Sequence, residues 1–157
     1  MEREFRLNWA VLVEESIRRR RKLKLTQKQL GELAKVSTPT ISRFEQVDKD
    51  IQMSSVLSIL DVFGMTDKRT LAFRHEESKY DSGREAMAFW GEEAGRPVVC
   101  RISREALDDH FSDRDRLRPE AAFAKHRKEI ESLARRKYIL DQVEPDGSIL
   151  IGTLEIA

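Results

Sequence analysis

Apolar positions at Trp9, Leu12, Val13 and Ile17 recur at helical spacing and predict a first helix over 8–22. A second is expected from Thr26. Thr26 and Gln29 have the capping-box spacing, in which each side chain satisfies a free backbone N–H of the first turn, and Leu30, Leu33 and Ala34 supply the inner face. Ser37 is a good N-cap for a third helix, and Pro39 falls in its first turn, where no intrahelical N–H is needed. Val36 and Ile41 are spaced to form a hydrophobic staple across that cap. A fourth helix over 54–63 turns Val56, Leu57, Leu60 and Phe63 inward, and Gly64 is placed to end it in a left-handed conformation.

Beyond Gly64 the pattern changes. Residues 74–85 are polar and aperiodic, which marks a linker. The expected limits are a first domain over 1–65, a connecting segment over 66–84 and a second domain over 85–157. Extended candidates at 86–92 and 97–102 flank Ala94-Gly95-Arg96-Pro97. Ser103 caps a short helix to His110, and Pro119 opens a longer one to Lys137 with Ala122, Phe123, Ile130, Leu133 and Ala134 as its apolar stripe. Residues 138–143 read equally as a strand or as the tail of that helix. Asp146-Gly147 between apolar runs signals a hairpin. The fold class expected is mainly α, a helical N-terminal domain followed by a small α+β domain.

The chain of 157 residues has room for one ordinary domain or two small ones. With 39% hydrophobic and 7% aromatic residues, any core is aliphatic and modest. Net charge is +1, so bulk electrostatics gives no argument for nucleic acid, but the distribution does. Residues 1–65 hold twelve basic against nine acidic side chains, whereas 84–157 hold thirteen against fifteen. The stretch from Arg18 to Lys28 carries Arg18, Arg19, Arg20, Arg21, Lys22, Lys24 and Lys28 with no acid. Cys100 is the single cysteine, so no intramolecular disulfide or Cys-rich metal site can form, which fits a reducing cytoplasm. Residues 1–8 lack a signal-peptide core, and no apolar run is long enough to span a membrane.

The segment 26–45, TQKQLGELAKVSTPTISRFE, has what a DNA-reading helix pair requires. Small residues are needed where the helices cross, and Gly31 and Ala34 supply them. Val36, Ile41 and Phe44 anchor the second helix from behind. Thr38, Pro39, Ser42 and Arg43 then form a front that fits a major groove about 12 Å wide. Arg43 matters most, because a guanidinium can bond guanine O6 and N7 together. Gln27 opens its helix where an amide and free backbone N–H groups can hold a phosphate.

On Thr26-Gln27-x-x-Leu30 and Ala34-x-Val36-Ser37-x-x-Thr40-Ile41-Ser42-Arg43-Phe44-Glu45, residues 9–65 resemble the Cro/repressor, xenobiotic-response-element type of helix-turn-helix family. The resemblance implies a lambda-repressor-like domain of four to five helices and a sequence-specific transcriptional regulator without enzymatic activity or cofactor. It places Thr38, Pro39 and Arg43 at bases and Gln27 and Thr40 at phosphates, with Lys28 and Arg19 expected to join the latter. It also implies an ion pair between a basic residue of the first helix and Glu45. Arg20, on the helical row of Val13 and Ile17, suits that role. The other side chains of the Arg18–Lys24 run are either a solvated face or phosphate contacts. There are two departures. Lys35 stands where glycine is usual, which costs on the order of 1 kcal/mol if its φ is positive. Pro39 replaces a polar reader and offers only apolar contact. Readout by one helix is thin, so a homodimeric repressor on a palindromic stretch of double-stranded DNA is expected. The run from Phe44 to Phe73 is similar to HipB-like antitoxin repressors, which implies a dimerising strand near 70–74 and, as an alternative function, a toxin protein as partner.

Residues 85–157 resemble a bacterial domain-of-unknown-function family (number 1488). The resemblance rests on Val98-Val99-Cys100-Arg101-Ile102-Ser103-x-Glu105-Ala106-Leu107-x-Asp109, Ala122-Phe123 with Ile130-Glu131, and Pro145-Asp146-Gly147. It implies a compact α+β fold, with a small-molecule effector as a further candidate partner. Asp108-Asp109-His110 with His126 and Glu129 is a weak candidate for a hydrolytic or metal site. His75, His110 and His126 have no metal-ligand spacing, and Cys100 reads as a buried small hydrophobe.

Overall fold

The computed structural model describes residues 6–112 and 116–156. Residues 1–5 of the segment tested for a signal core therefore lie outside it. Two compact units form, one ending at Asp67 and the other beginning at Lys68.

The first unit is four helices, α1 (Trp9–Lys22), α2 (Gln27–Ala34), α3 (Thr38–Glu45) and α4 (Met53–Val62). Asn8 caps α1 by accepting from the Val11 N–H, a role the sequence reading did not assign. Val13, Leu30, Ile41, Phe44 and Ile59 are wholly buried, and Trp9 meets the Phe44 ring edge-on at 5.7 Å. Two expected inward residues face out: Leu33 is 59% exposed and Leu57 49%. The reason is angular. At about 100° per residue, Leu33 lies roughly 100° from the middle of the face set by Leu30, Gly31 and Ala34. Leu57 is displaced similarly from Val56, Ile59, Leu60 and Phe63, so Ile59 takes the inward place instead.

The second unit has a four-stranded sheet in the order β1 (Ser78–Asp81), β2 (Ala86–Glu93), β3 (Arg96–Ser103), β4 (Ile149–Ile151). The first two pairings are antiparallel, and β4 runs parallel to β3. The helices α5 (Arg104–His110), α6 (Pro119–Lys125) and α7 (Arg127–Ile139) provide the crossover that a parallel neighbour needs. Its core gathers Phe89, Cys100, Ile102, Leu107, Phe123 and Ile130.

Four expectations change here. The segment 66–84 is not all linker, because it contains β1 and the buried Leu71. Leu71 lies so close to β2 that a Cβ on Gly91 would come within 2.7 Å of it. The stretch near 70–74, expected to pair across a dimer, pairs within its own chain: Ala72 both donates to and accepts from Glu92, at 2.9 and 2.8 Å. The helix expected over 119–137 is interrupted at His126, which leaves helical geometry with φ −110° and ψ 19°. Residues 138–143 are the tail and exit of α7, not a strand. The Gln142 N–H reaches back to the Lys137 carbonyl over a left-handed Asp141. Asp146-Gly147 therefore has no strand before it to pair with. It forms a local turn, and β4 goes to β3.

Candidate nucleic-acid interface

The corner between α2 and α3 is built from local signals. Thr26 and Gln29 form the reciprocal capping box at the start of α2. The helix ends on Lys35 in the left-handed region, φ 56° and ψ 42°, so the strain anticipated for a non-glycine residue is present. The Val36 N–H then donates to the Gly31 carbonyl at 2.9 Å. Gly31 has no room for a side chain, since a Cβ there would sit 2.7 Å from the Val36 carbonyl oxygen. Ser37 caps α3 by accepting from the Thr40 N–H, with Pro39 in the first turn.

Ile41 and Phe44 fix α3 from behind, and Thr38, Pro39 and Arg43 are exposed on its front, with Ser42 half-buried. Arg43 does not extend freely. Its Nε donates to Asp48 Oδ2 at 2.8 Å and its NH2 to the Asp50 carbonyl at 2.7 Å. The Asp50 N–H, and after it Arg43, hold the Asp48 carboxyl below its ordinary range, so it stays ionised at neutral pH. Gln46 is also exposed and reaches Ser42 Oγ at 3.5 Å. The sequence reading missed both Gln46 and Asp48. Gln46 was visible as the next position on the row of Ser42, whereas Asp48 comes near Arg43 only through the turn that follows the helix.

Behind the front, Arg20 and Glu45 form a two-pronged pair, Nε to Oε1 at 2.5 Å and NH2 to Oε2 at 3.0 Å, with both side chains largely buried. Arg20 NH1 also donates to the Leu25 carbonyl at 2.9 Å. One cluster thus ties α1, the corner before α2 and the end of α3. Gln27 belongs to it as well, its Nε2 donating to Glu45 Oε2 at 2.8 Å.

Of the expected phosphate contacts, Lys28 is exposed with no ion-pair partner among the described residues, and Thr40 shares a 2.7 Å hydrogen bond with the Ser37 hydroxyl. Arg19 is instead committed within the unit. Its Nε pairs with Glu15 at 2.8 Å, and its NH1 donates to the Phe63 carbonyl at 2.7 Å, closing the end of α4. Arg18, and after it Arg19, lower the Glu15 carboxyl to about 2, so this pairing persists across the physiological range. Arg18 is thereby occupied, while Arg21, Lys22 and Lys24 remain on the exposed side.

In the second unit Asp109 and His110 turn to Thr153, at 2.6 and 3.2 Å between side chains, and His126 stands 3.8 Å from Glu129. Among the described residues no group of three His, Cys, Asp or Glu side chains could hold a metal ion. Cys100 is buried in β3, and burial pushes its thiol up to about 12. No helix among the described residues is long and apolar enough to cross a membrane.

Residues 17–73 match a helix-turn-helix domain family, which supports a DNA-binding regulator. Residues 71–151 match the family described as protein of unknown function (DUF1488). No curated protein matches the chain. Among solved structures, a crystal structure of a protein of unknown function from the DUF1488 family of Shewanella loihica PV-4 is similar. It has 20% identity over 55% of this chain and 96% of that one, at a TM-score of 0.48. With just over half of its length matched by that family, behind a helix-turn-helix domain, the chain belongs to the DUF1488 family.

Proposed function

We propose that this protein is a sequence-specific transcriptional repressor that binds a palindromic site as a homodimer, without catalysis of its own. The observation that carries the reading is α3, whose back is wholly buried at Ile41 and Phe44 while Thr38, Pro39, Ser42 and Arg43 line its accessible front. A rod held this way enters a major groove without reorganising. Thr38 and Ser42 offer hydroxyls to base edges, Pro39 offers an apolar surface to a thymine methyl, and Arg43 exchanges Asp48 and Asp50 for guanine O6 and N7. Lys28 and Thr40 meet the backbone beside them, and the backbone N–H groups that open α2 supplement them. Each copy reads few bases, and this is the argument for two copies on a two-fold site.

Selection of bound duplexes from a random pool tests the reading, and a two-fold symmetric motif is expected. On that motif Arg43→Ala should weaken binding by roughly 1–3 kcal/mol, with a much smaller effect on random duplex. A pool that yields no motif, or an equal loss on both duplexes, removes the proposal.

A further inference from the structure

The second unit holds a hollow that DNA reading does not use. Side chains alternate along β3, and Cys100 and Ile102 face the core, so Arg101 points to the opposite face of the sheet. Arg101 is half-buried there. Its Nε is shut off from solvent without an acceptor, and among the described residues its guanidinium makes no hydrogen bond or ion pair. Such a group stands out, because buried polar atoms are nearly always bonded.

Arg101 lines a cavity of about 510 Å³ together with Arg84, Glu144, Pro145, Asp146 and Leu150. Arg84 sits between β1 and β2. Leu150 is the register partner of Arg101 across the β3–β4 pair. Asp146 is fixed by Ser148, whose N–H and hydroxyl both donate to Oδ1, at 2.9 and 2.6 Å. Those bonds come first in lowering its carboxyl, and the nearby Arg101 and Arg84 add to them, so Asp146 is an anion at neutral pH. Two guanidiniums and two carboxylates thus share one cavity beside an apolar wall of Pro145 and Leu150. A bare anion would be repelled by Asp146 and Glu144, and a bare cation by the two arginines.

We propose that this hollow binds a small α-amino-acid-like zwitterion. The carboxylate lies on Arg101 and Arg84, the ammonium on Asp146 and Glu144, and an apolar side chain against Pro145 and Leu150. The site goes beyond the DNA reading and does not depend on it.

The test is an amide chemical-shift titration of the full chain without DNA, using three probes of like shape. Leucine has both charges, 4-methylpentanoate lacks the ammonium, and isoamylamine lacks the carboxylate. Leucine should shift the amides of Arg84, Arg101, Ser148 and Leu150 saturably, and each half-probe should bind at least about tenfold more weakly. Arg101→Gln should lower leucine affinity by about tenfold or more, and Arg84→Gln, in an exposed turn, should lower it in the same sense. An otherwise unchanged amide spectrum checks folding of each variant. No saturable shift with leucine, a half-probe that binds equally well, or unchanged affinity in both folded variants would overturn the proposal.

Discussion

Arg43 is turned back onto the loop after its own helix, so under the proposed reading DNA competes with Asp48 and the Asp50 carbonyl for the guanidinium. Both partners are solvent-accessible, and such pairs are weak. Asp48→Asn keeps an acceptor for the Asp50 N–H, removes the charged partner of Arg43 and takes one negative charge from the DNA-facing side. Operator affinity measured by fluorescence anisotropy is expected to rise about two- to fivefold. An unchanged or lower affinity shows that the contact orients Arg43 for reading instead of competing with it. At the next residue back, Val47 has φ 63°, a conformation a β-branched side chain adopts only under strain. Left-handed geometry costs an L-residue about 1–2 kcal/mol, against about 0.5–1 kcal/mol for glycine's extra chain entropy. Val47→Gly should therefore stabilise the first unit by roughly 0.5–1 kcal/mol, seen by calorimetry as a midpoint about 3–6 °C higher. A fall would mean that contacts of the isopropyl group outweigh the strain. Not all of this was legible in the sequence. Arg20 could be assigned to Glu45 because helical periodicity places it on the row of Val13 and Ile17. Gln27 and Arg19 are expected at phosphates; their bonds to Glu45 and Glu15 within the unit could not be read from spacing, Gln27 and Glu45 lying 18 residues apart and Arg19 competing with Arg18 for Glu15.

At the scale of elements, α1, α2, α3, α4 and α7 close in the same way. In each, an N–H just past the helix reaches back five residues over a residue of positive φ: Lys24, Lys35, Val47, Gly64 and Asp141. Only α4 uses glycine there, which is why its end was predicted from sequence while the end of α7 stayed open. The hairpin signal at Asp146-Gly147 misled for a related reason. A turn signal fixes a reversal but not what flanks it, and the preceding apolar run was the last residues and exit of α7 instead of a strand. Gly31 is different, required for close approach and not for φ. A methyl group there meets the backbone oxygen of Val36, which no rotamer change can move. Gly31→Ala should open the corner, destabilise the unit by about 1–3 kcal/mol in denaturant titration, and weaken operator binding. Stability and binding close to those of the parent chain would show that α3 can shift without losing its aim.

At the scale of the whole molecule the net charge of +1 restricts how DNA can be held. A strongly basic protein binds any duplex by releasing counterions, whereas this one must rely on a few placed contacts. The basic run from Arg18 to Lys28 suggests a broad cationic patch, but the fold removes much of it. Arg18 and Arg19 are tied to Glu15, and Arg20 to Glu45. Lys28 remains exposed near the start of α2, as do Arg21, Lys22 and Lys24 on and just after α1. The logarithm of operator affinity falls with the logarithm of salt concentration at a slope of about −0.9 per neutralised phosphate. Lys28→Ala should therefore flatten the slope by about 0.9 for each copy bound, or about 1.8 for a two-fold complex. Arg19→Ala should leave the slope unchanged while lowering the unfolding midpoint, because it removes the contact to the Phe63 carbonyl. The two variants delete the same charge nine residues apart, so total charge cannot explain a difference between them. If Arg19→Ala flattens the slope as much as Lys28→Ala does, its guanidinium leaves Glu15 for the backbone on binding, and the cationic face is wider than the free protein displays.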